Sequence, residues 1–209
     1  MVLSLGGEFK SLRNLVGSFL LILAISVVGS GQAVTWTIDP DHSTAEFTVR
    51  HMLITNVKGV FDGPVGTVTF DPKDMLGSLK VQATLNAKSV HTRNAERDKD
   101  VKGDQFLAVN KYPTITFKSK KAEPAGNGKF KVTGDLTIRG VTKEVLLDVE
   151  GPTAPIIDLW KQVRVGATMT TTVSRKAFGL TYNELLETGG AVVSDEVRIS
   201  IDIEIFHKE

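Results

Sequence analysis

The sequence predicts an all-β domain of antiparallel strands, and three observations carry that expectation. Apolar and polar residues alternate with a period of two along segment after segment, the pattern of strands with one dry and one wet face. Turns bearing glycine, proline or asparagine part those segments at short intervals. Helical patterning is scarce, one charged stretch and a short turn near the end, so no helical layer is at hand to cover the dry faces. Such strands must bury their apolar sides against a second sheet or against themselves, and periodicity by itself leaves both a sandwich and a closed barrel open.

In chain order, residues 43–51 place Ala45, Phe47 and Val49 on one face and Thr44, Glu46, Thr48 and Arg50 on the other. Strands are expected next at residues 59–62 and 65–70, parted by Asp62-Gly63-Pro64 and ended by Asp71-Pro72. Leu79, Val81, Ala83 and Leu85 then alternate with Lys80, Gln82, Thr84 and Asn86. Residues 94–106 are the one good helix candidate, rich in charge, with Val101 and either Phe106 or Gln105 as a thin apolar edge. A strand at residues 114–120 follows, and after the turn Ala125-Gly126-Asn127-Gly128 comes another, in which Phe130, Val132, Gly134, Leu136 and Ile138 face one way. Arg139-Gly140 and Gly151-Pro152 bound a strand at residues 143–150. The stretch 154–163, with Pro155, Ile156, Ile157, Leu159 and Trp160, is more apolar than a simple connection and reads as a lid or rim, or as a partner-facing or packed edge. A strand at residues 164–174, a short helical turn at 182–187 and a last strand with Val197, Ile199, Ile201, Ile203 and Ile205 on one face complete the chain.

The N-terminus has the form of a secretory signal. Lys10 and Arg13 precede an apolar stretch, residues 15–28, and Gly31-Gln32-Ala33 supplies the small residues a signal peptidase needs. Cleavage is expected after Ala33, leaving residues 34–209 as one periplasmic or secreted domain; an uncleaved anchor is the alternative. The apolar stretch is short of the ~20 residues that span a bilayer as a helix. With no cysteine in its 209 residues, the chain has no disulfide, thiol nucleophile, thiolate metal site or lipoprotein anchor. Setting aside Lys10, Arg13 and Glu8 from the 25 basic and 24 acidic residues leaves 23 of each. A body so balanced argues against nucleic acid as a partner, because phosphate neutralisation needs a basic face.

Several short motifs in a fixed order carry a resemblance to a known family. They are W-T-I-D-P-D-H-S-T-A-E-F-T-V-R-H from Trp36 to His51, V-K-G-V-F from Val57, S-V-H-T from Ser89, the pair Arg97-Asp98, and Y-P-T-I-T-F from Tyr112. G-D-L-T-I-R-G-V-T from Gly134, F-G-L from Phe178 and V-S-D-E-V from Val193 continue the series. None is specific alone, but their order and spacing run through nearly all of the chain after residue 33, and on them the chain resembles the YceI-like family. The stretch after Arg97-Asp98 departs from the pattern, which more often has a histidine and a leucine there. The resemblance implies a single antiparallel lipocalin-like β-barrel of about eight strands with one short helix, targeted to the cell envelope and binding a polyisoprenoid or similar long-chain lipid.

An eight-stranded barrel is just wide enough to be filled by its own side chains or to hold one small ligand. On the second reading the inward faces become the binding wall: Phe47, Val49, His51, Phe61, Val81, Leu85, Arg97, Phe106, Phe117, Leu136, Ile138, Phe178, Ile199 and Ile201. Small residues on that face, Gly59, Ala83, Gly134 and Ala167, either leave room for a guest or mark bulges and bends. His51 continues the inward register and reads either as a satisfied structural histidine or as a group meeting a ligand head at the barrel mouth. Arg93 and Arg97 read by default as part of a solvated charged face, or else one of them closes a barrel end and meets a polar head with its planar donors; Arg175 and Lys176 form a second candidate rim site. Asp41, His42 and Ser43 do not read as a catalytic triad, since neighbours in an extended chain point to opposite faces and turn or cap bonding suits Asp41 and Ser43 better. The four histidines lack the spacing of a zinc site. Neither catalytic residues, metal nor cofactor is expected. The leading reading is a lipid carrier that meets the membrane transiently and has an optional homodimeric form. The alternatives are an enzyme acting on such a lipid and a structural or stress-related envelope protein with a self-filled core.

Overall fold

A long bent hairpin opens the body of the chain. β1 (Val34–Ile38) turns a corner into β2 (Thr44–His51), and β3 (Thr55–Phe61) turns the matching corner into β4 (Val65–Phe70). β1 pairs with β4 and β2 with β3, both antiparallel. Gly63 permits the second corner, since a Cβ there would lie 2.0 Å from the Pro40 carbonyl oxygen. The computed structural model describes residues 32–185, 187 and 190–208, so the expected signal segment lies outside the described residues apart from Gln32 and Ala33.

After α1 (Met75–Ser78) come β5 (Lys80–Asn86), α2 (Ala95–Lys102), β6 (Thr114–Gly126), β7 (Lys129–Ile138) and β8 (Val141–Glu150). The short β9 (Ile156–Ile157), then β10 (Gln162–Ser174) and β11 (Val193–Lys208) complete the elements. Following the pairings from β1 through β4, β5, β6, β7, β8, β10 and β11 leads back to β1, a closed ring of eight antiparallel strands. β11 makes the closure. One of its edges pairs with β10 from Glu196 to Lys208, and the other is shared between β2 and β1. Its run of β-branched residues at every second position suits a half-buried strand that must be long enough to serve both. Closure is what satisfies the edges that an open sheet would expose.

The two ends of the barrel differ. At one, Met75, Leu76 and Leu79 around α1 pack on Phe130, Val132, Leu147 and Val149. Beside them Trp36, Ile38, Val68, Val165 and Ile205 form a second cluster, with the Trp36 and Phe70 rings stacked 5.7 Å apart. At the opposite end Val90, Leu107, Val109, Phe178 and Leu180 pack beneath α2 and the segments around it, together with Ala45 and Phe61.

Several sequence expectations need correction. The helix expected over 94–106 ends at Lys102, because the backbone N–H groups of Gly103, Leu107 and Val109 turn back to the carbonyls of Asp100, Val101 and Lys102. Asn94 caps its start by accepting from Arg97 N–H. β1, α1 and β9 were not foreseen as separate elements, and β3 begins at Thr55 rather than at 59. Tyr182 to Leu185 is not helical. Arg175 takes the carbonyls of Leu180 and Tyr182, and the Asn183 side chain bonds the backbone of Val193 in both directions, so the groups a helix would pair internally are engaged elsewhere. The stretch 154–163 is an outer edge rather than a lid: β9 pairs with the start of β10, and Ile156, Ile157, Leu159 and Trp160 all face solvent.

The β2–β3 turn is strained. Met52 and Leu53 have φ of 50° and 64°, with Ile54 N–H bonded to the His51 carbonyl. A left-handed conformation costs an L-residue roughly 1–2 kcal/mol, which is why such turns favour Asn-Gly.

Candidate ligand-binding cavity

Every strand of the ring contributes side chains to an internal cavity of about 570 Å³. The fourteen residues expected on its wall all border it. Phe47, Val49 and His51 come from β2, Phe61 from β3, Val81 and Leu85 from β5, and Phe117 from β6. Leu136 and Ile138 come from β7, Ile199 and Ile201 from β11, Arg97 from α2, Phe106 from the turns after it, and Phe178 from the turn after β10. Phe47, Leu85, Phe117, Leu136, Ile199 and Ile201 face inward yet are only half-buried, because one side of each borders the hollow rather than another side chain. A self-filled core is therefore not what this barrel has.

Sequence reasoning missed part of the wall. Met75 opens and Leu79 follows a helix too short to show a period, and Val57, Val145 and Met169 lie on strands whose inward faces were not resolved residue by residue. The reading of two glycines also changes. Gly59 and Gly134 do not open space for a guest: an added Cβ would lie 2.2 Å from Phe47 Cζ in the first case and 2.4 Å from Phe117 Cζ in the second. Each aromatic ring lies on a glycine of the neighbouring strand, which lets a large side chain line the cavity without crossing it. Ala83 and Ala167 do border the hollow. Gly59→Ala should push the Phe47 ring off its seat, cost about 1–3 kcal/mol by overpacking, and reduce the capacity of the cavity; chemical denaturation together with ligand titration checks both.

Polar groups gather at the α2 end. Asp100, Gln105 and Glu184 border the cavity and are also exposed, so the hollow reaches solvent there. Arg97 donates from Nε to Thr92 Oγ1 (2.8 Å) and from Nη2 to the Thr92 carbonyl (2.7 Å). Thr92 in turn donates its N–H and hydroxyl to Asp98, both at 2.6 Å, and these bonds hold the Asp98 carboxyl below its ordinary value. Of the two arginines considered, Arg97 borders the cavity and Arg93 is exposed outside it.

Arg175 is not an open rim site. It is 5% exposed and donates to the carbonyls of Leu180, Tyr182, Ser194 and Val193, which pins residues 180–182 to the start of β11 at the barrel end. Burial lowers its pKa, with Asp195 opposing that shift. Asp195 itself accepts from Lys176 N–H and Ser174 Oγ, capping the turn that carries Phe178, and Glu196 makes a long surface pair with Arg198.

Asp41, His42 and Ser43 assemble no triad. His42 bonds Asp39 at 3.0 Å, Asp39 accepts from Asp41 N–H, and Ser43 Oγ accepts from Glu204 N–H across the sheet, a long-range bond where a local cap was expected. Asp39, His42 and Glu204 lie close enough to suggest a metal site, but Arg164 Nη1 already bonds both Asp39 and Glu204. Arg164 also donates to Asp158 Oδ2 at 2.6 Å, so one guanidinium ties the β1–β2 corner, the β9 hairpin and β11 together. Its Nη2 also donates to Gln162 Oε1 at 3.0 Å, and nothing in the sequence marked the cluster, because its three carboxylate partners lie 6, 40 and 125 residues away.

The model of the YceI-like domain matches residues 36–205. The chain belongs to that family. A UPF0312 protein of Staphylococcus aureus strain N315 is 35% identical to this YceI-like chain over 171 residues, covering 81% of it and 95% of the relative. Among solved structures, Burkholderia cenocepacia BcnA superposes with a TM-score of 0.69 at 25% identity, over 80% of this chain and 98% of that one. The Campylobacter jejuni YCEI protein gives 0.63 at 32% identity, over 76% and 90%. A polyisoprenoid binding domain from Saccharophagus degradans implicated in plant cell wall breakdown gives 0.57 at 14% identity, over 81% and 97%, and shares the fold. The YceI-like barrel here is thus closed and eight-stranded, with its apolar hollow intact.

Proposed function

We propose that this YceI-like domain binds one long-chain isoprenoid lipid in the barrel cavity, without chemistry, and carries, stores or sequesters it in the cell envelope. The observation that carries the reading is the cavity itself: about 570 Å³ of hollow, walled mainly by aliphatic and phenyl side chains from every strand of the ring, with Arg97, Asp100, Gln105 and Glu184 together at one end. That volume falls in the range of about 300–1,000 Å³ usual for ligand pockets. A hydrocarbon tail suits the wall, and a polar head suits the end where His51, Arg97 and Asn183 stand. An isoprenoid tail is in keeping with membership of the YceI-like family, whose fold a polyisoprenoid binding domain shares. The envelope setting rests on the signal-like N-terminus.

Magnitudes favour reversible carriage. Each methylene buried from water contributes ~0.8 kcal/mol, yet a bilayer offers nearly the same gain, so the preference for protein over membrane is a small difference between large terms. The test is organic extraction of the protein purified from its native envelope, with mass spectrometry of the extract. An isoprenoid at close to one per chain is expected; its absence, together with no binding of added polyprenol, would reject the reading. Incubation with that lipid should return it chemically unchanged, whereas turnover would place the domain among enzymes.

A further inference from the structure

We propose that the rim at the polar end of the cavity is a membrane-docking surface, and that Leu53, Ile54 and Leu185 enter the acyl region of a bilayer while lipid passes in or out. This rests on the lipid-binding reading above and assigns where that exchange occurs. Leu53, Ile54 and Leu185 are 61%, 74% and 83% exposed. They belong to two loops that hydrogen bonds join into one rim: Met52 N–H donates to the Val192 carbonyl at 2.8 Å, and Val192 N–H to the Glu184 carbonyl at 3.0 Å. Gly190 lies against Leu53, where an added Cβ would come within 3.3 Å of Leu53 Cδ1.

Two independent features point to a bilayer. The first is continuity. His51, Glu184 and Val192 border the cavity, and the exposed apolar residues are their immediate neighbours in sequence or in space, so the outer apolar surface begins where the inner lining ends. The second is the strained turn. Met52 and Leu53 occupy two successive left-handed positions that Asn-Gly would fill without strain, so the local backbone has no use for apolar side chains there. Strain of this kind gathers where a site needs particular side chains.

The shape of the patch selects a bilayer over a protein. The exposed apolar side chains described at this rim are few and supply far less than the roughly 1,200–2,000 Å² that a stable protein interface buries. A bilayer needs no matching contour. Arg50, bonded to the Leu53 carbonyl, and the exposed Glu184 and Glu187 flank the tips without an excess of positive charge, so apolar insertion rather than attraction to anionic lipid drives docking. Exposed Ile156, Leu159 and Trp160 lie at the other end of the barrel, on a hairpin that does not line the cavity, and serve as an internal control.

The test uses the purified, naturally processed protein and vesicles of zwitterionic phosphatidylcholine. Sedimentation with vesicles is expected at both low and high salt, and the L53E/I54E double variant should lose it by at least tenfold while still binding polyprenol added in solution. A second double variant, M52N/L53G, relieves the turn strain; it should melt at a higher temperature than the parent and bind vesicles at least fivefold more weakly. W160E should bind vesicles as the parent does. Unchanged sedimentation of L53E/I54E, loss in W160E alone, or a dimer broken by L53E/I54E with no vesicle binding by the parent would each overturn the docking surface. Rim-dependent vesicle binding with no polyprenol uptake by the parent would leave the docking surface standing and overturn the cavity reading instead.

Discussion

Phe117→Asp should abolish lipid retention in a barrel that still folds. The Phe117 ring borders the cavity and lies on Gly134 of the adjoining strand, where it is half-buried because its other face meets the hollow. A carboxylate at that place has water to meet in the free protein but would face hydrocarbon in the complex, and burying an unpaired charge against an apolar partner is among the most costly changes available. A loss of at least a hundredfold in affinity is expected, about 2.8 kcal/mol. Phe117→Leu keeps the wall apolar and should retain lipid to within about tenfold. Extraction with mass spectrometry and a polyprenol titration read the outcome, with circular dichroism to establish folding. Full retention in folded Phe117→Asp would remove this wall from the binding site.

The second large effect concerns Arg164. Its side chain is 12% exposed and is shared by Asp39, Asp158 and Glu204, whose side chains are 10%, 9% and 31% exposed, and its guanidinium lies 5.1 Å from the Phe206 ring centre. Arg164→Met strands two buried carboxylates. A cost of about 3 kcal/mol is expected, at the low end for removing one partner of a buried pair because Glu204 remains partly wet. Arg164→Lys keeps the charge but not the planar fork that reaches three carboxylates and Gln162, so it should restore only part of the loss.

The pH dependence has a definite sign. Burial would raise the Asp39 carboxyl, but hydrogen bonds from Arg164, His42 and Asp41 N–H outweigh it and hold the group at about 2, against an ordinary value of 3.8. A carboxyl depressed on folding contributes stability that is fully present above its unfolded value and is lost as pH falls from about 4 towards 2. In Arg164→Met the same carboxyl keeps His42 and the Asp41 N–H but loses the guanidinium, so its folded value rises and protonation relieves part of the defect. The stability gap between parent and variant should therefore narrow on acidification from pH 7 to 4. Urea denaturation at several pH values measures it; a constant gap would show that Arg164 acts through packing alone.

Much of the wall was legible because a strand has a period of two. Once Phe47 is assigned inward, Val49 and His51 follow, and the same logic carries Val81 with Leu85, Leu136 with Ile138, and Ile199 with Ile201. What local pattern could not supply was the seat of each side chain. Gly59 reads from sequence as space or as a bend, and only its cross-strand register with Phe47 shows that the ring fills it. Arg175 looks like a surface cation beside Lys176 until the fold surrounds it with four carbonyls. Arg164 gathers partners from three distant elements, and no spacing rule reaches that far.

The sequence by itself determined the strand faces, the turns, the balanced charge and the family, because each is written in short-range pattern or in residue order. The tertiary structure alone decided that the sheet closes through β11, that its apolar faces enclose a hollow instead of filling it, and which end of that hollow is polar. The physical reason is that ring closure depends on pairings between strands distant along the chain, and the volume left inside depends on the size of every inward side chain at once. Neither is a property of any local segment.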